Sequence, residues 1–270
     1  MAAHGVDLSV HTKVSLGPVR WENDVLFNYV RDEVTRYLLR PPTIQTLLDP
    51  LTINPLAGHP LYSVYALRWA GLDPQTGNPQ GLLDGHISEN YTSIVGATDF
   101  STLLYKGPVD PPYFGTWRSN FFWKQWGVSA LFVYKFGDYF TQPSIQYYAL
   151  FNGTSQGHPD YNRRWQKPGD EQHTDVPSMT FPANSIRDYF YANSDVVVEK
   201  GDLIRWQDLQ VSYDLSRRAL GRSAIRSLQL YCYANHLALL WTANRQHIDP
   251  DAQRSLPVPR SIAIGIKMQW

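Results

Sequence analysis

Several groups of residues in this 270-residue chain have types and spacings that could do chemistry. Gly153-Thr-Ser-Gln-Gly157 has the G-x-S-x-G spacing of a nucleophile elbow, a tight strand-to-helix turn that exposes a serine. Its flanks are polar loop, so Ser155 is expected to be an ordinary loop serine; a membrane-embedded hydrolase would need it beside a histidine on one face. The eight histidines are scattered and none has H-E-x-x-H spacing, so neither a metal nor a cofactor is expected. His11, on a polar strand face, reads as a solvated side chain. Asp208 and Asp214 invite comparison with a glycosidase carboxylate pair, but six steps along one strand separate them by about 20 Å, against roughly 5–9.5 Å for that chemistry. The remaining group is a set of aromatic and guanidinium side chains: Tyr147, Tyr148, Tyr161, Arg163, Arg164, Trp165, Tyr189 and Tyr191. Flat rings with Arg and Asn donors suit a sugar or a peptide. Packing of those rings on each other or against a partner is the competing expectation. Asn90-Tyr-Thr92 and Asn152-Gly-Thr154 fit glycosylation sequons, to which no function is assigned.

The elements that must position these residues are strands. From Ser261 the chain alternates without a break: Ile262, Ile264, Ile266, Met268 and Trp270 point one way, Ser261, Ala263, Gly265, Lys267 and Gln269 the other. Leu228, Leu230, Cys232 and Ala234 oppose Gln229, Tyr231, Tyr233 and Asn235. Leu209, Val211, Tyr213 and Leu215 oppose Asp208, Gln210, Ser212 and Asp214. At the other end of the chain Val6, Leu8, Val10, Val14 and Leu16 oppose Asp7, Ser9, His11, Lys13 and Ser15. After the Gly17-Pro18 turn, a long strand over about 19–37 sets Trp21, Val25, Phe27 and Tyr29 against Glu22, Asp24, Leu26 and Asn28. A short aromatic strand is expected over 61–69, one weak strand in 78–112, and a hairpin of 113–123 and 127–140 about Lys124-Gln-Trp126. Residues 141–201 show little period. The count is about nine strands, with no domain boundary.

Composition narrows the class. The 24 basic and 24 acidic residues balance, so no nucleic-acid-binding surface is expected. Charged residues are only 18% while aromatics reach 14%, which suits a carbohydrate-handling surface, the aromatic girdles of a membrane barrel or a large β core. Cys232 is the one cysteine, so no internal disulfide forms. No apolar run has the length of a transmembrane helix, and the first residues have neither the basic nor the apolar region of a signal peptide. Two architectures fit the alternation: an antiparallel sheet with a core face and a wet face, as in a soluble β-sandwich carbohydrate-binding module, and an outer-membrane barrel. Tight connections (17–18, 124–126, 217–225) alternate with long ones (40–60, 141–201, 241–259), which is the asymmetry of short periplasmic turns and long external loops.

Distinctive stretches resemble the C-terminal part of the SusC/RagA family of TonB-linked outer-membrane transporters of Bacteroidetes. Gly58 and His59-Pro-Leu-Tyr-Ser-Val-Tyr-Ala-Leu-Arg-Trp-Ala-Gly-Leu-Asp-Pro-Gln-Thr-Gly77 resemble that family's G-x-P-L-x-S-I-Y-x-Y-x-x-A-G-L-D-P-x-T-G segment. Tyr105-Lys-Gly107, Pro111-Pro112 and Gly115 through Phe121 resemble its Y-x-G, P and G … N-x-F strand. Leu131-Phe-Val-Tyr-Lys-Phe-Gly137, Arg164-Trp-Gln-Lys-Pro-Gly-Asp-Glu171, Ile204 to Tyr213, Asn235-His-Leu237, Asp249-Pro250 and the closing strand follow in order.

The resemblance implies an all-β fold, an antiparallel up-and-down barrel of roughly 22 strands closed around a plug. Residues 1–270 would supply about nine of those strands. Without plug, TonB box, signal peptide or the first half of the barrel, the chain is expected to be a truncated piece, whose two open edges no bilayer tolerates. The implied function is uptake of an oligosaccharide or peptide without covalent chemistry. Its implied partners are a SusD-like surface lipoprotein, TonB acting through the missing plug, and outer-membrane lipid. Glu22, Asp24, Asp208, Gln210, Lys267 and Gln269 would then face the lumen. Trp21, Phe132, Tyr134, Tyr213 and Trp270 would face lipid, and Ile262 to Trp270 would form the terminal membrane-insertion strand.

Overall fold

The computed structural model describes residues 1–38, 42–50, 52–53, 55–216, 220–221, 224–252 and 257–270. In chain order the strands are β1 (Ala2–Leu16), β2 (Val19–Glu33), β3 (Ser63–Leu67), β4 (Trp69–Leu72), β5 (Pro79–Leu83), β6 (His86–Ser88), β7 (Leu103–Pro108), β8 (Tyr113–Trp123), β9 (Trp126–Phe136), β10 (Tyr139–Thr141), β11 (Val198–Lys200), β12 (Leu203–Leu215), β13 (Ser227–Thr242) and β14 (Ser261–Gln269). Short helices among the described residues are α1 (Ile44–Leu47), α2 (Tyr91–Val95), α3 (Tyr147–Phe151) and α4 (Ser185–Ala192). The chain divides into two compact units, each assembled from three separated stretches. That interleaving is why composition shows no boundary.

One unit holds residues 4–31, 111–137 and 201–270. It is a seven-stranded sheet in the order β1-β2-β8-β9-β12-β13-β14, an up-and-down meander with every registered pair antiparallel. Registers align its faces. One row runs Trp21, Phe121, Val128, Val211, Cys232, Ile264 across six strands, and its neighbour on the opposite face runs Glu22, Asn120, Ser129, Gln210, Tyr233, Ala263. The alternation read from the sequence is therefore one continuous two-faced surface. Six indoles, those of Trp21, Trp117, Trp123, Trp126, Trp206 and Trp241, share the apolar face by register. Trp117 stacks on Phe132, and Phe132 on Trp206. No second layer covers the apolar side within this unit's described residues: Ile264 is 85% exposed and Trp126 48%. A sandwich would bury that face. The outer strands β1 and β14 leave the sheet open, so the described residues form no closed barrel.

The other unit holds residues 1–3, 32–110 and 138–200 and has a conventional core. All five residues of β3 are buried, and its period of two feeds two clusters. Tyr65 and Leu67 join Ile44, Leu47, Tyr91, Ile94 and Phe190, while Val64 and Ala66 join Val198. Around them lie the pairs β3–β7 and β10–β11 and the three-stranded β4-β5-β6. Each of three helices starts at a side-chain cap: Thr43 for α1, Asn90 for α2 and Asn184 for α4. Asn90, read as part of a sequon, thus closes the first turn of α2.

Several expectations are corrected. The strand expected over 19–37 ends at Glu33, and the weak 78–112 region contains β5, β6, α2 and β7. The stretch 141–201 contains α3 and α4 rather than loop alone, and 40–60 includes α1. Helices of four to eight residues are too short for a 3.6-residue period to register. Among the described residues fourteen strands are seen, seven in the large sheet and seven as short pieces of the cored unit. Most of the 217–225 connection lies outside the described residues.

Candidate functional site

The aromatic and guanidinium side chains proposed for binding separate into two groups by burial. Tyr147, Trp165 and Tyr191 are buried. Tyr147 donates its hydroxyl to the Pro177 carbonyl at 2.8 Å, and Ser144 Oγ donates to the Tyr191 hydroxyl at 3.3 Å; burial raises the pKa of both phenols. The Trp165 indole lies across Gly77, where a Cβ would come within 2.4 Å of the ring. Its Nε1 donates to Glu171 at 3.2 Å, and Glu171 also accepts the Gly169 amide at 2.8 Å. Backbone amides, its own first, hold the Glu171 carboxyl below its ordinary value. The two stretches Leu72-Asp-Pro-Gln-Thr-Gly77 and Arg164-Trp-Gln-Lys-Pro-Gly-Asp-Glu171 therefore meet at one contact, and the Ser178 amide donates to the Gly77 carbonyl to close it.

Tyr148, Arg163 and Tyr189 are exposed, and Tyr161 and Arg164 half-buried. The Arg164 guanidinium lies 3.9 Å over the Tyr161 ring and donates to the Tyr161 carbonyl at 2.7 Å. Arg163 pairs with Asp160 at 3.4 Å. Beside them is an apolar patch that the sequence reading passed over: Phe181, 83% exposed, meets Phe151 edge to face at 5.6 Å, and Met179 lies at Tyr161. Only their hydrophobicity inside a region without period could have marked them.

Beneath this surface is a second omission, the buried Arg187. Its Nε donates to Asn78 at 3.0 Å and its Nη2 to Ser178 O and Oγ at 2.8 and 3.1 Å. Asn78 in turn donates to Glu89 at 2.9 Å. Burial lowers the Arg187 pKa and raises that of its neighbour Asp188, whose carboxylate takes the Tyr148 amide at 2.7 Å. The network ties residues 78–89, 178 and 184–188 together.

In the sheet unit, Glu22, Asp24, Asp208, Gln210, Lys267 and Gln269 all occupy the polar face. Arg118 bridges Asp208 at 3.3 Å and donates to Ser129 at 3.0 Å, while Tyr233 donates to Asp208 at 3.4 Å. Asp24 pairs with His11 at 2.6 Å, and Glu22 with Lys13 and Arg20. Gln229 donates to Asp214 at 2.9 Å. Asp208 and Asp214 thus have separate partners and form no catalytic pair. On the apolar face Asn23 and Ser119 each accept an indole N–H, from Trp117 at 3.0 Å and Trp21 at 2.9 Å.

A cavity of about 270 Å³ opens on the polar face where β12 and β13 approach the long connections, lined by Arg205, Asp249, Asp251 and Arg260 among others. Ser155 donates its hydroxyl to the Gln156 carbonyl in an exposed turn after α3, without the strand-turn-helix of an elbow. Among the described residues no cluster of His, Cys, Asp and Glu could hold a metal, and no helix is long and apolar enough to cross a membrane.

No family model and no curated protein matches this chain. Solved structures do. A chain of the RagAB peptide importer in its open-open state superposes with a TM-score of 0.69 at 20% identity over 99% of this chain and 28% of that one. Chains of the RagAB peptide transporter and of the importer in its closed-closed state give 0.68 and 0.67, each at 19% identity, covering 98% of this chain and 29% of theirs. This chain spans under a third of the length of the solved chains it matches, and its fold is similar to the fold of that part of them.

Proposed function

We propose that this chain forms part of the barrel of a TonB-dependent outer-membrane transporter of the SusC/RagA kind, importing an oligosaccharide or peptide in concert with a SusD-like surface lipoprotein. The observation that carries the reading is the two-faced single layer. Its apolar side bears the indoles and its polar side an ion-pair network. Lipid is the solvent that makes an uncovered face of this composition favourable, and a water-filled or plugged lumen solvates the other. The face has a suitable height: ten steps along β9, from Trp126 to Phe136, at about 3.3 Å each and tilted by roughly 40° rise about 25 Å, the height of a barrel's apolar band. The fold likeness to chains of the RagAB peptide importer supports the same reading. The exposed Tyr148, Arg163 and Tyr189 and the half-buried Tyr161 and Arg164, with Phe181, are the surface offered to lipoprotein or substrate; Tyr147, Trp165 and Tyr191 hold that surface in shape from below.

The test is genetic and biochemical in the cell that carries the reading frame. Deleting the frame is expected to abolish uptake of labelled peptides or of labelled oligosaccharides, uptake that an uncoupler also stops. The protein is expected in the outer-membrane fraction, co-purifying with a lipid-anchored protein. Recovery of the chain from the soluble fraction, or unchanged uptake of both substrate classes, would end the proposal.

A further inference from the structure

The apolar face of the sheet is hollowed near its tight-turn end. A depression of about 470 Å³ is lined by Trp126, Val211, Tyr213, Leu230, Cys232 and Ile264 among others. Registers build it from two rows. Trp126, Tyr213 and Leu230 are paired across β9, β12 and β13, and Val211, Cys232 and Ile264 are paired across β12, β13 and β14 two residues further in. The short side chain of Cys232 stands between Val211 and Ile264, so the middle of that row is low. Trp126 and Tyr213 tilt together at 4.9 Å and wall the turn end. The bulge of β12, where both its neighbours shift register between Trp206 and Asp208, lies beyond, so the hollow occupies regular sheet. The charge at its Trp126 wall is positive. Lys124, exposed in the turn between β8 and β9, holds its ammonium 4.8 Å over the Trp123 ring, and Trp123 is the register partner of Trp126. Arg226, also exposed, precedes β13 at the same end. Glu22 and Asp214, at this end too, are on the polar face, held by Lys13, Arg20 and Gln229.

We infer that this hollow seats one acyl chain of an anionic glycerophospholipid whose phosphate lies at Lys124, an inference that rests on the transport reading above and gives one lipid of the turn-side leaflet a fixed place. Three levels of the site match three levels of that molecule, in the same order. At the rim an exposed ammonium attracts the phosphate. One row in, Trp126 and Tyr213 are apolar rings with a single polar tip, the side chains that settle at the ester level of a bilayer. Further in, Val211, Cys232 and Ile264 offer apolar side chains, and no backbone group is left unpaired because β12, β13 and β14 are in full register there. A chain lying in a hollow touches walls as well as floor. It therefore makes more dispersion contacts than a chain on a flat face and exchanges more slowly.

Cys232 is the one cysteine of the sequence and lines the hollow, so its alkylation by a maleimide reads occupancy. The full transporter, purified from outer membranes and stripped of lipid in detergent, would be alkylated at rising concentrations of phosphatidylglycerol, of a diacylglycerol with the same chains, or of lipid A, and the Cys232 peptide followed by mass. Phosphatidylglycerol is expected to slow alkylation most. Lys124→Asn should raise its half-protecting concentration about fivefold, and Lys124→Asp further; both residues tolerate the φ of 54° at that turn position. Cys232→Trp fills the hollow and should leave less phospholipid bound after detergent exchange. Four results each overturn the site: equal half-protecting concentrations in the parent and both Lys124 variants, protection by diacylglycerol or lipid A as strong as by phosphatidylglycerol, unchanged phospholipid in Cys232→Trp, or protection that follows protein concentration rather than lipid, which would place a second copy there. Recovery of the protein in the outer-membrane fraction would in each case leave the transport reading standing. Recovery in the soluble fraction overturns both.

Discussion

Phe190 and Ile264 are both large and apolar, yet Phe190 is fully buried and Ile264 is 85% exposed. Phe190 sits in the unit with a core, against Trp69 and Tyr91, stabilised as in any water-soluble domain by removal of apolar surface from water. Ile264 sits on a face of the seven-stranded sheet that nothing in its unit covers. The difference is what the proposed function requires of one chain in two solvents, water around the first and lipid against the second. In the cored unit burial and hydrophobicity agree. In the sheet unit they disagree systematically along one face, the face that the proposed function assigns to lipid.

The largest expected effect is in the first solvent. Phe190→Ala should cost about 3–5 kcal/mol, read as a lowered unfolding midpoint of the full protein and faster proteolysis within 32–110 and 138–200. Ile264→Lys separates the two solvents: near mid-bilayer it should impair assembly by about 2–4 kcal/mol, whereas a water-exposed sheet would register at most about 0.5 kcal/mol. Wild-type-like membrane assembly of that variant would break the comparison. Trp117→Phe keeps a ring on the apolar face but strands the Asn23 carbonyl oxygen, at about 1–3 kcal/mol; Trp117→Phe combined with Asn23→Leu should recover much of that loss. Gly77→Ala meets both φ +67° and the Trp165 ring and should cost about 1–3 kcal/mol, seen as loosening of residues 165–178 in hydrogen exchange.

The smallest effect is on acid stability. Asp73 accepts the Thr76 amide at 2.7 Å, the Thr76 hydroxyl at 2.9 Å and the Gln75 amide at 2.9 Å, which hold its carboxyl below the ordinary value. Its contribution is present above the ordinary carboxylate pKa of about 4 and is lost as pH falls through the depressed value. Asp188, raised by burial, works the other way: its contribution is present below the ordinary value and is lost as pH rises through the raised one. Unfolding midpoints between pH 2 and 7 should therefore fall less steeply with acid in Asp73→Asn and more steeply in Asp188→Asn; identical acid limbs in all three proteins would remove both assignments.

The sheet unit was largely legible because a period of two survives in sequence wherever both faces are specified. The faces of Trp21, Val211, Ile264 and their opposites were readable directly, and even the bulge leaves a trace, since Gln207-Asp208 puts two polar residues in succession where alternation should continue. The second unit was much less legible. Its three stretches meet through long-range contacts, its strands run three to six residues, and β3 is buried on both faces, so no alternation exists to be read. The aromatic loop residues were found by type, but type does not distinguish Tyr147, inside, from Tyr148, one residue on and half exposed. Arg187 gave no signal, because a buried arginine is defined by partners 9 and 109 residues away.

The one-sided placement of the indoles makes the protein its own optical ruler. Trp69 and Trp165 report from the cored unit, while Trp21, Trp117, Trp123, Trp126, Trp206 and Trp241 are spread from one end of the apolar face to the other. In vesicles containing acyl chains brominated at a chosen carbon, the depth of the quencher selects which of those rings goes dark. Trp21 and Trp117, whose N–H groups are already satisfied by Ser119 and Asn23, should emit at the blue edge, and Trp126 nearer the red. Single tryptophan-to-phenylalanine variants would then draw the height profile of the sheet in a bilayer, strand by strand, with no label attached.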